Sequence, residues 1–274
     1  MPLKTFHPPH LAQALESVAH QTSPEWRLAI VVEHGDRERF EAMLAEQLAD
    51  RRVSLVVSDG GGLAGALNTG MRAATTEFVA ILLADDMWAP DAVAVLTRYI
   101  EAHPHVDFFH SSRQFIDENG APISSIHCST DVVSAQDFEL GSPVKHLLCW
   151  RRSAGLAAGG LDESLNSVGP DDWDFPWTMA ERGAVFMPVD ECLYLYRDHR
   201  DCYRLSTHLP LSHHRREIRR IMRKHGVDRR TIQAKIAHAE RAYLRQCLYR
   251  SRLDRWLKER LRYDPRRGWR ESYL

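Results

Sequence analysis

The run Phe78-Val79-Ala80-Ile81-Leu82-Leu83, followed by Ala84-Asp85-Asp86, decides the fold. Six apolar residues ending at two carboxylates read as a buried strand with acids at its carboxyl end, the edge where open α/β sheets bind their ligands. Adjacent carboxylates there repel one another unless something positive neutralises them, and a hard divalent cation shared with phosphate oxygens does so. The opposing reading makes Asp86 the cap of a helix starting near Pro90 and leaves Asp85 solvated.

Working outward, Pro8-Pro9 opens a helix with apolar Leu11, Ala14, Leu15 and Val18, and Leu28–Val32 follows as a buried strand. A polar amphipathic helix around Arg37–Ala49, a strand at Val53–Val57 and a helix from Leu63 to Ala74 lead to the acidic strand. This β-α-β-α-β order predicts an α/β, Rossmann-like fold: a mostly parallel central sheet with helices on both faces. Beyond the acids come a helix from Pro90, a strand near Val106–His110 and a turn at Glu118-Asn119-Gly120. Residues 121–150 read as one long irregular segment, a length that usually carries function. A helix around Asp172–Arg182 and two short strands, Val185–Val189 and Cys192–Tyr196, precede a helical pattern that runs from Leu211 almost to the end.

With 274 residues, 44% of them hydrophobic, and only 15 Gly and 13 Pro, disordered, collagenous and small disulfide-stapled classes are excluded. The formal charge of -1 hides a division. Residues 211–274 hold 20 Lys or Arg against 7 Asp or Glu, leaving 16 against 30 in residues 1–210, so an acidic body at 1–210 and a basic helical extension at 211–274 are predicted. Five scattered cysteines, no Cys-x-x-Cys pair and no apolar stretch of membrane-spanning length point to a cytoplasmic protein that could still rest peripherally on the inner face of a membrane.

A second acidic cluster, Asp171-Asp172-Trp173-Asp174, opens the helix that carries Phe175, Trp177 and Met179. Carboxylates in a first helical turn are favoured by the macrodipole, so capping is one reading and a positioned general base is the other. His199, in YRDHRD, has the chemistry of a metal ligand and its neighbours Arg197 and Arg200 that of phosphate partners; a merely solvated histidine is the simpler alternative. Gly60-Gly61-Gly62-Leu63-Ala64-Gly65 satisfies the dinucleotide pattern G-x-G-x-x-G, and an NAD-linked oxidoreductase is a third-ranked reading. Against it, Asp59 puts a carboxylate where a pyrophosphate would lie.

Taken in order, LAQALESVAHQTSPEWRLAIVVEHGD, GGLAGALNTGMRAATTEFVAILLADDMWAPDAV, EAHPHVDFFHSSRQFIDENG, GGLDESLNSVGPDDWDFPWTMAERG and LYLYRDHRD resemble the inverting family-two glycosyltransferases of GT-A fold, over residues 8 to about 208. The resemblance implies a nucleotide-sugar donor, with UDP the expected nucleotide, whose diphosphate is bridged by Mn²⁺ or Mg²⁺. It makes Asp85 the metal-coordinating carboxylate, His199 a further ligand to metal or diphosphate, and Asp172 the base that deprotonates the acceptor hydroxyl. It puts Glu33, Asn68, Asp86 and Arg197 on the donor side. A saccharide or lipid-linked acceptor is implied, and residues 121–150, including Lys145 and His146, together with the 211–274 extension are expected to shape its side of the site.

Three departures from the family pattern bear on this. Leu83 replaces the first acid of Asp-x-Asp, and Glu33-His34 stand where relatives carry acids near the nucleobase. Only Met1–Thr5 resembles the family's first strand and turn, so that strand, central in the sheet, is expected to be truncated and the reading frame to start upstream. A degenerate GT-A domain that binds sugar nucleotide or a partner without turnover is therefore the rival to the enzyme. For the basic extension, packing on the body or on a second subunit as a homodimer is the favoured reading, an anionic membrane surface the second, and nucleic acid the least favoured.

Overall fold

The computed structural model describes residues 1–139, 141–165, 170–198 and 211–249, and the chain divides into two compact units, Met1–Arg200 and Asp201–Leu274. In the first unit β1 (Pro2–Leu3), β2 (Leu28–Val32) and β3 (Val53–Val57) form a parallel sheet in that order. Strand β2 is apolar throughout because it is covered on both faces. Leu28, Ile30 and Val32 share a core with Leu11, Leu15 and Val18 of α1 (Pro8–Ala19) and Phe40 of α2 (Arg37–Met43), whereas Val31 meets Gly70 of α4 (Gly62–Ala73). The helix expected over Arg37–Ala49 is interrupted at Leu44, with α3 (Ala45–Leu48) beyond it.

A second sheet contains β4 (Phe78–Ala80), β5 (Met87–Trp88), β6 (Phe108–Ile116), β7 (Pro122–His127), β8 (Leu148–Arg151) and β9 (Phe186–Arg197), in the order β4-β8-β6-β9-β5 with β7 on β6. It is mixed: only the β6–β9 ladder is parallel. Strand β8 runs opposite to its neighbours β4 and β6, so β4, β6 and β9 share one direction. Among the described residues no ladder joins the two sheets, and β1 is two residues long. Helices cover both faces. Phe109 lies in the core with Val93 and Leu96 of α5 (Ala92–Ala102), while Phe108 stacks on Trp150 and Phe186, and Trp150 meets Phe175 of α7 (Phe175–Glu181).

Residues 121–150 are not one irregular segment, since they contain β7, a turn of 3-10 helix at Ala135–Phe138, and β8. Strand β7, PISSIH, is polar and mostly outside the core, and β8 is only four residues long, so neither leaves a periodic signal. Conversely, the two late strands are one. Asp190 and Glu191 mark a bulge where the register of β9 against Ser111 and Ser112 shifts, and this polar pair reads as a turn in the sequence. Helix α6 (Arg152–Ala157) follows β8 directly.

The second unit contains α8 (Leu211–Lys224) and α9 (Arg229–Tyr249). In α8 Ile218, Ile221 and Met222 are buried and Arg219, Arg220, Arg223 and Lys224 exposed, as its three-and-four spacing predicts; Arg215 pairs with Glu240 of α9 at 2.5 Å. The rest of the expected helical tail, 250–274, lies outside the described residues. Among the described residues no helix is long and apolar enough to cross a membrane.

Candidate active site

Asp85 and Asp86 sit in the turn between β4 and β5. The chain continues the ladder one residue past β4, Ile81 N–H donating to Leu148 O, and then turns, with Asp86 N–H on Leu83 O at 3.3 Å. Asp86 does not cap the next helix, which begins at Ala92 with Asp91 at its N-cap. It points inward at 1% exposure, accepting the Tyr194 hydroxyl and the Arg197 backbone N–H, each at 2.7 Å. Burial, reinforced by the charge of Asp85, pushes its carboxyl up to about 7. Asp85, its neighbour, is only half-buried, and its backbone carbonyl accepts Arg197 Nε at 2.6 Å.

The end of β9 thus clamps the acidic turn. Tyr194 Oη also accepts from Leu83 N–H at 3.4 Å, so Leu83, in the place of the family's first acid, meets β9 through its backbone. Arg197 is wholly buried. Beyond Asp85 its guanidinium reaches Asp117 O, Glu118 O and Gln13 Oε1, a set of protein acceptors that ties the turn after β6 and helix α1 to the acidic turn. These donors serve the scaffold, and no described contact of Arg197 bears on the phosphate role the sequence pointed to.

The second acidic pair lies in a single π-helical turn, Pro170–Asp174, that runs into α7. Trp173 fixes this turn by donating Nε1–H to Phe138 O at 2.9 Å and stacking on Trp177. Asp171 is 7% exposed, its Oδ2 3.2 Å from His146 Nε2; Asp172 is half-buried, its backbone carbonyl accepting from Ser142 Oγ. Burial, then the charge of Asp171, raise the Asp172 carboxyl above the ordinary carboxylate range, while His146, Arg113 and Lys145 pull it back. For His146 burial acts downward, but the hydrogen bond to Asp171 and the charges of Asp171 and Asp172 outweigh it and raise the imidazole. Lys145 is lowered, by burial and by Arg113.

These two acidic pairs meet through β9. The Tyr194 ring lies 5.2 Å from His146, and the charge of His146 is felt at Asp86. The sequence found both pairs but not the residues between them: Tyr194 and Tyr196, two apart on one strand, Arg113 on β6, and the role of His146. The alternation Tyr-x-Tyr, which puts both rings on one face, was the available signal.

Other predicted residues lie apart from this cluster. Glu33, at the carboxyl end of β2, is exposed and pairs with Lys4 at 2.6 Å; no described contact joins it to either acidic pair. Asn68 is buried on α4, its amide donating to Leu161 O and Glu163 and accepting from Leu161 N–H, so it anchors the 161–163 loop. His199 lies outside the described residues. The glycine run is not a dinucleotide cradle. The Glu163 carboxylate accepts Gly61 N–H at 3.1 Å, filling the helix terminus where a pyrophosphate would bind. Any side chain at Gly60 would come within 2.8 Å of Gly65 Cα, and Gly62 takes a left-handed φ of 65°.

The two-faced α/β core with an acidic turn at a strand end has the architecture of the GT-A glycosyltransferases. S. aureus TarS 1-349 aligns over 90% of this chain and 72% of its own with a TM-score of 0.62 at 16% identity, and its complex with UDP-GlcNAc gives 0.61. The mannosyltransferase PcManGT from Pyrobaculum calidifontis, in complex with GDP-Man and Mn²⁺, aligns over 98% of this chain and 81% of its own with a TM-score of 0.60 at 20% identity. At such identities these likenesses establish the fold. The model of glycosyl transferase family 2 matches residues 6–147, and the chain belongs to that family. Among curated relatives, the O-antigen biosynthesis protein RfbC of Myxococcus xanthus is 26% identical over 193 residues, 69% of this chain and 15% of its own. The UDP-Glc:alpha-D-GlcNAc-diphosphoundecaprenol beta-1,3-glucosyltransferase WfgD of Escherichia coli is 25% identical over 111 residues, 40% of this chain and 42% of its own. The chain thus spans less than half the length of either relative.

Proposed function

We propose that the protein is an inverting glycosyltransferase that moves a sugar from a nucleotide diphosphate, UDP being the expected nucleotide, to an acceptor hydroxyl. The observation that carries this is the pairing of roles within each acidic couple: Asp86 and Asp171 are engaged by buried partners, while Asp85 and Asp172 beside them remain half-buried. Asp172 is the general base. A carboxylate raised toward neutrality is a better proton acceptor than one at its ordinary value. It takes the hydroxyl proton as the acceptor oxygen bonds to the anomeric carbon, and the bond from that carbon to the diphosphate breaks, the nucleoside diphosphate leaving with the electron pair.

Asp85 is the carboxylate for a divalent cation, Mn²⁺ or Mg²⁺, with His199 a candidate second ligand. The donor set suits such an ion. Asp85 offers one half-buried carboxylate, and a cation of this kind takes one or two carboxylates and completes its shell from substrate phosphates and water. Its chemistry there is to offset charge on the departing diphosphate. Asp86, Arg197 and Asn68 act behind the site as positioning groups, and Glu33 stands at the edge of the parallel sheet where the family pattern expects the nucleobase. A lipid-linked or saccharide acceptor, a cytoplasmic setting, and a role for the basic unit at a subunit or anionic membrane surface complete the reading.

The test is release of nucleotide from a panel of UDP- and GDP-sugars with Mn²⁺. Release from at least one donor supports the enzyme; donor binding with no release from any supports a binding module.

A further inference from the structure

Between the two acidic pairs lies a buried imidazole. His146 is 3% exposed, its Nε2 is on Asp171 and its Nδ1 has no hydrogen-bond partner. Its ring centroid is 5.2 Å from Tyr194 and 6.3 Å from Tyr196, and Tyr194 in turn donates to Asp86. The charged and titratable groups facing it come from every surrounding element: Asp171 and Asp172 from the π turn, Arg113 from β6, Asp86 from the turn after β4, the two tyrosines from β9, and Lys145 next to it.

Enclosing a histidine with one ring nitrogen unsatisfied is costly unless its charge does something there. Two adjacent carboxylates, Asp171 buried and Asp172 half-buried, supply the reason. With no cation against them they cannot both remain ionised, and one keeps its proton. Of the three cations near Asp172, His146 is the one hydrogen-bonded to the pair.

We propose that His146, through its hydrogen bond to Asp171, is a positioning residue that holds the Asp171–Asp172 turn and supplies the cation that lets Asp172 work as an unprotonated base. The proposal rests on the reading of Asp172 as the base. It predicts different behaviour for two substitutions. His146→Gln keeps a neutral donor for Asp171 and removes the charge, whereas His146→Ala removes both.

The experiment has two arms on the full chain. The first follows the His146 ring by NMR during a pH titration of the wild type, Asp171→Asn and Asp172→Asn, with no ligand. Asp171→Asn is expected to lower the His146 midpoint by about one pH unit or more, a tenfold change in proton affinity, and Asp172→Asn to lower it less. An unmoved midpoint in Asp171→Asn overturns the pairing. The second arm measures nucleotide release against pH with the donor most active in the panel above. Both His146 variants are expected to shift the acid limb to higher pH, with donor KM within about twofold of wild type, and His146→Ala to lose in addition about tenfold or more of kcat. An unmoved limb in His146→Gln makes His146 merely structural and overturns the proposal. Full activity of Asp172→Asn would sink the base assignment separately, leaving the NMR arm to decide the pair.

Discussion

The two carboxylate pairs are built alike and held differently. In the turn after β4, Asp86 is gripped by a tyrosine hydroxyl and a backbone N–H, groups whose charge does not change in the working pH range. In the turn before α7, Asp171 is gripped by an imidazole, a group that can carry a proton and whose hold on it the neighbouring carboxylates strengthen, with Lys145 and Arg113 close by. A neutral clamp holds the buried Asp86 carboxyl in place behind the half-buried Asp85, the member of the pair open to a cation and a diphosphate. A titratable clamp with cations around it regulates a proton. The difference in holders matches the division of labour proposed above: donor at Asp85, chemistry at Asp172.

The largest effect that could break this contrast is in the rate. Asp172→Asn should lower transfer by about 10²–10⁴-fold, the usual contribution of a general base, with donor affinity retained. Initial rates with and without the substitution check it. Next, Asp85→Asn should weaken divalent-dependent donor binding by about tenfold or more, read by calorimetric titration with Mn²⁺ present and absent. Equal loss of affinity in both variants would erase the division of labour. Smaller again is the stability change in Asp86→Ala, which leaves the buried Tyr194 hydroxyl and Arg197 N–H without their acceptor and should cost about 1–3 kcal/mol in chemical denaturation.

The smallest effect sharpens the contrast from outside the site. His110 on β6 is His146 without a carboxylate: wholly buried, neither ring nitrogen bonded, and pulled down to about 3 by burial and then by Lys145. Its folded value lies below the unfolded one, so the unfolded chain binds more protons between the two. The stability that neutral His110 contributes is complete above about pH 6.5 and is lost as pH falls toward 3. His110→Leu should therefore stabilise by about 2 kcal/mol more at pH 5 than at pH 8. An equal effect at both would show that the ring is not titrating.

How far the sequence led can be judged from individual elements. Strand Leu28–Val32 was legible because a parallel strand covered on both faces is a continuous apolar run, Val53–Val57 because four of its five residues are apolar, and the acidic turn because the unbroken apolar run Phe78–Leu83 ends at it. The second sheet was not. Strand β8 carries only Leu148–Arg151, and its place between β4 and β6 is set by pairings more than 35 residues distant in sequence, Phe108 with Trp150 for example. Both acidic pairs were found, but which member of each is buried was not, because that depends on Tyr194 and His146 arriving from other elements. Asn68 and Arg197 illustrate the same limit: a polar residue in a motif can face the ligand or hold the loop behind it, and only tertiary placement distinguishes the two.

The most direct test is one calorimetric comparison: the donor that releases nucleotide, titrated with Mn²⁺ into the wild type, Asp85→Asn and Asp172→Asn. The account predicts that Asp172→Asn binds as the wild type does while Asp85→Asn loses about tenfold or more. Undiminished binding by Asp85→Asn, or loss of binding by Asp172→Asn in a folded protein, would contradict it.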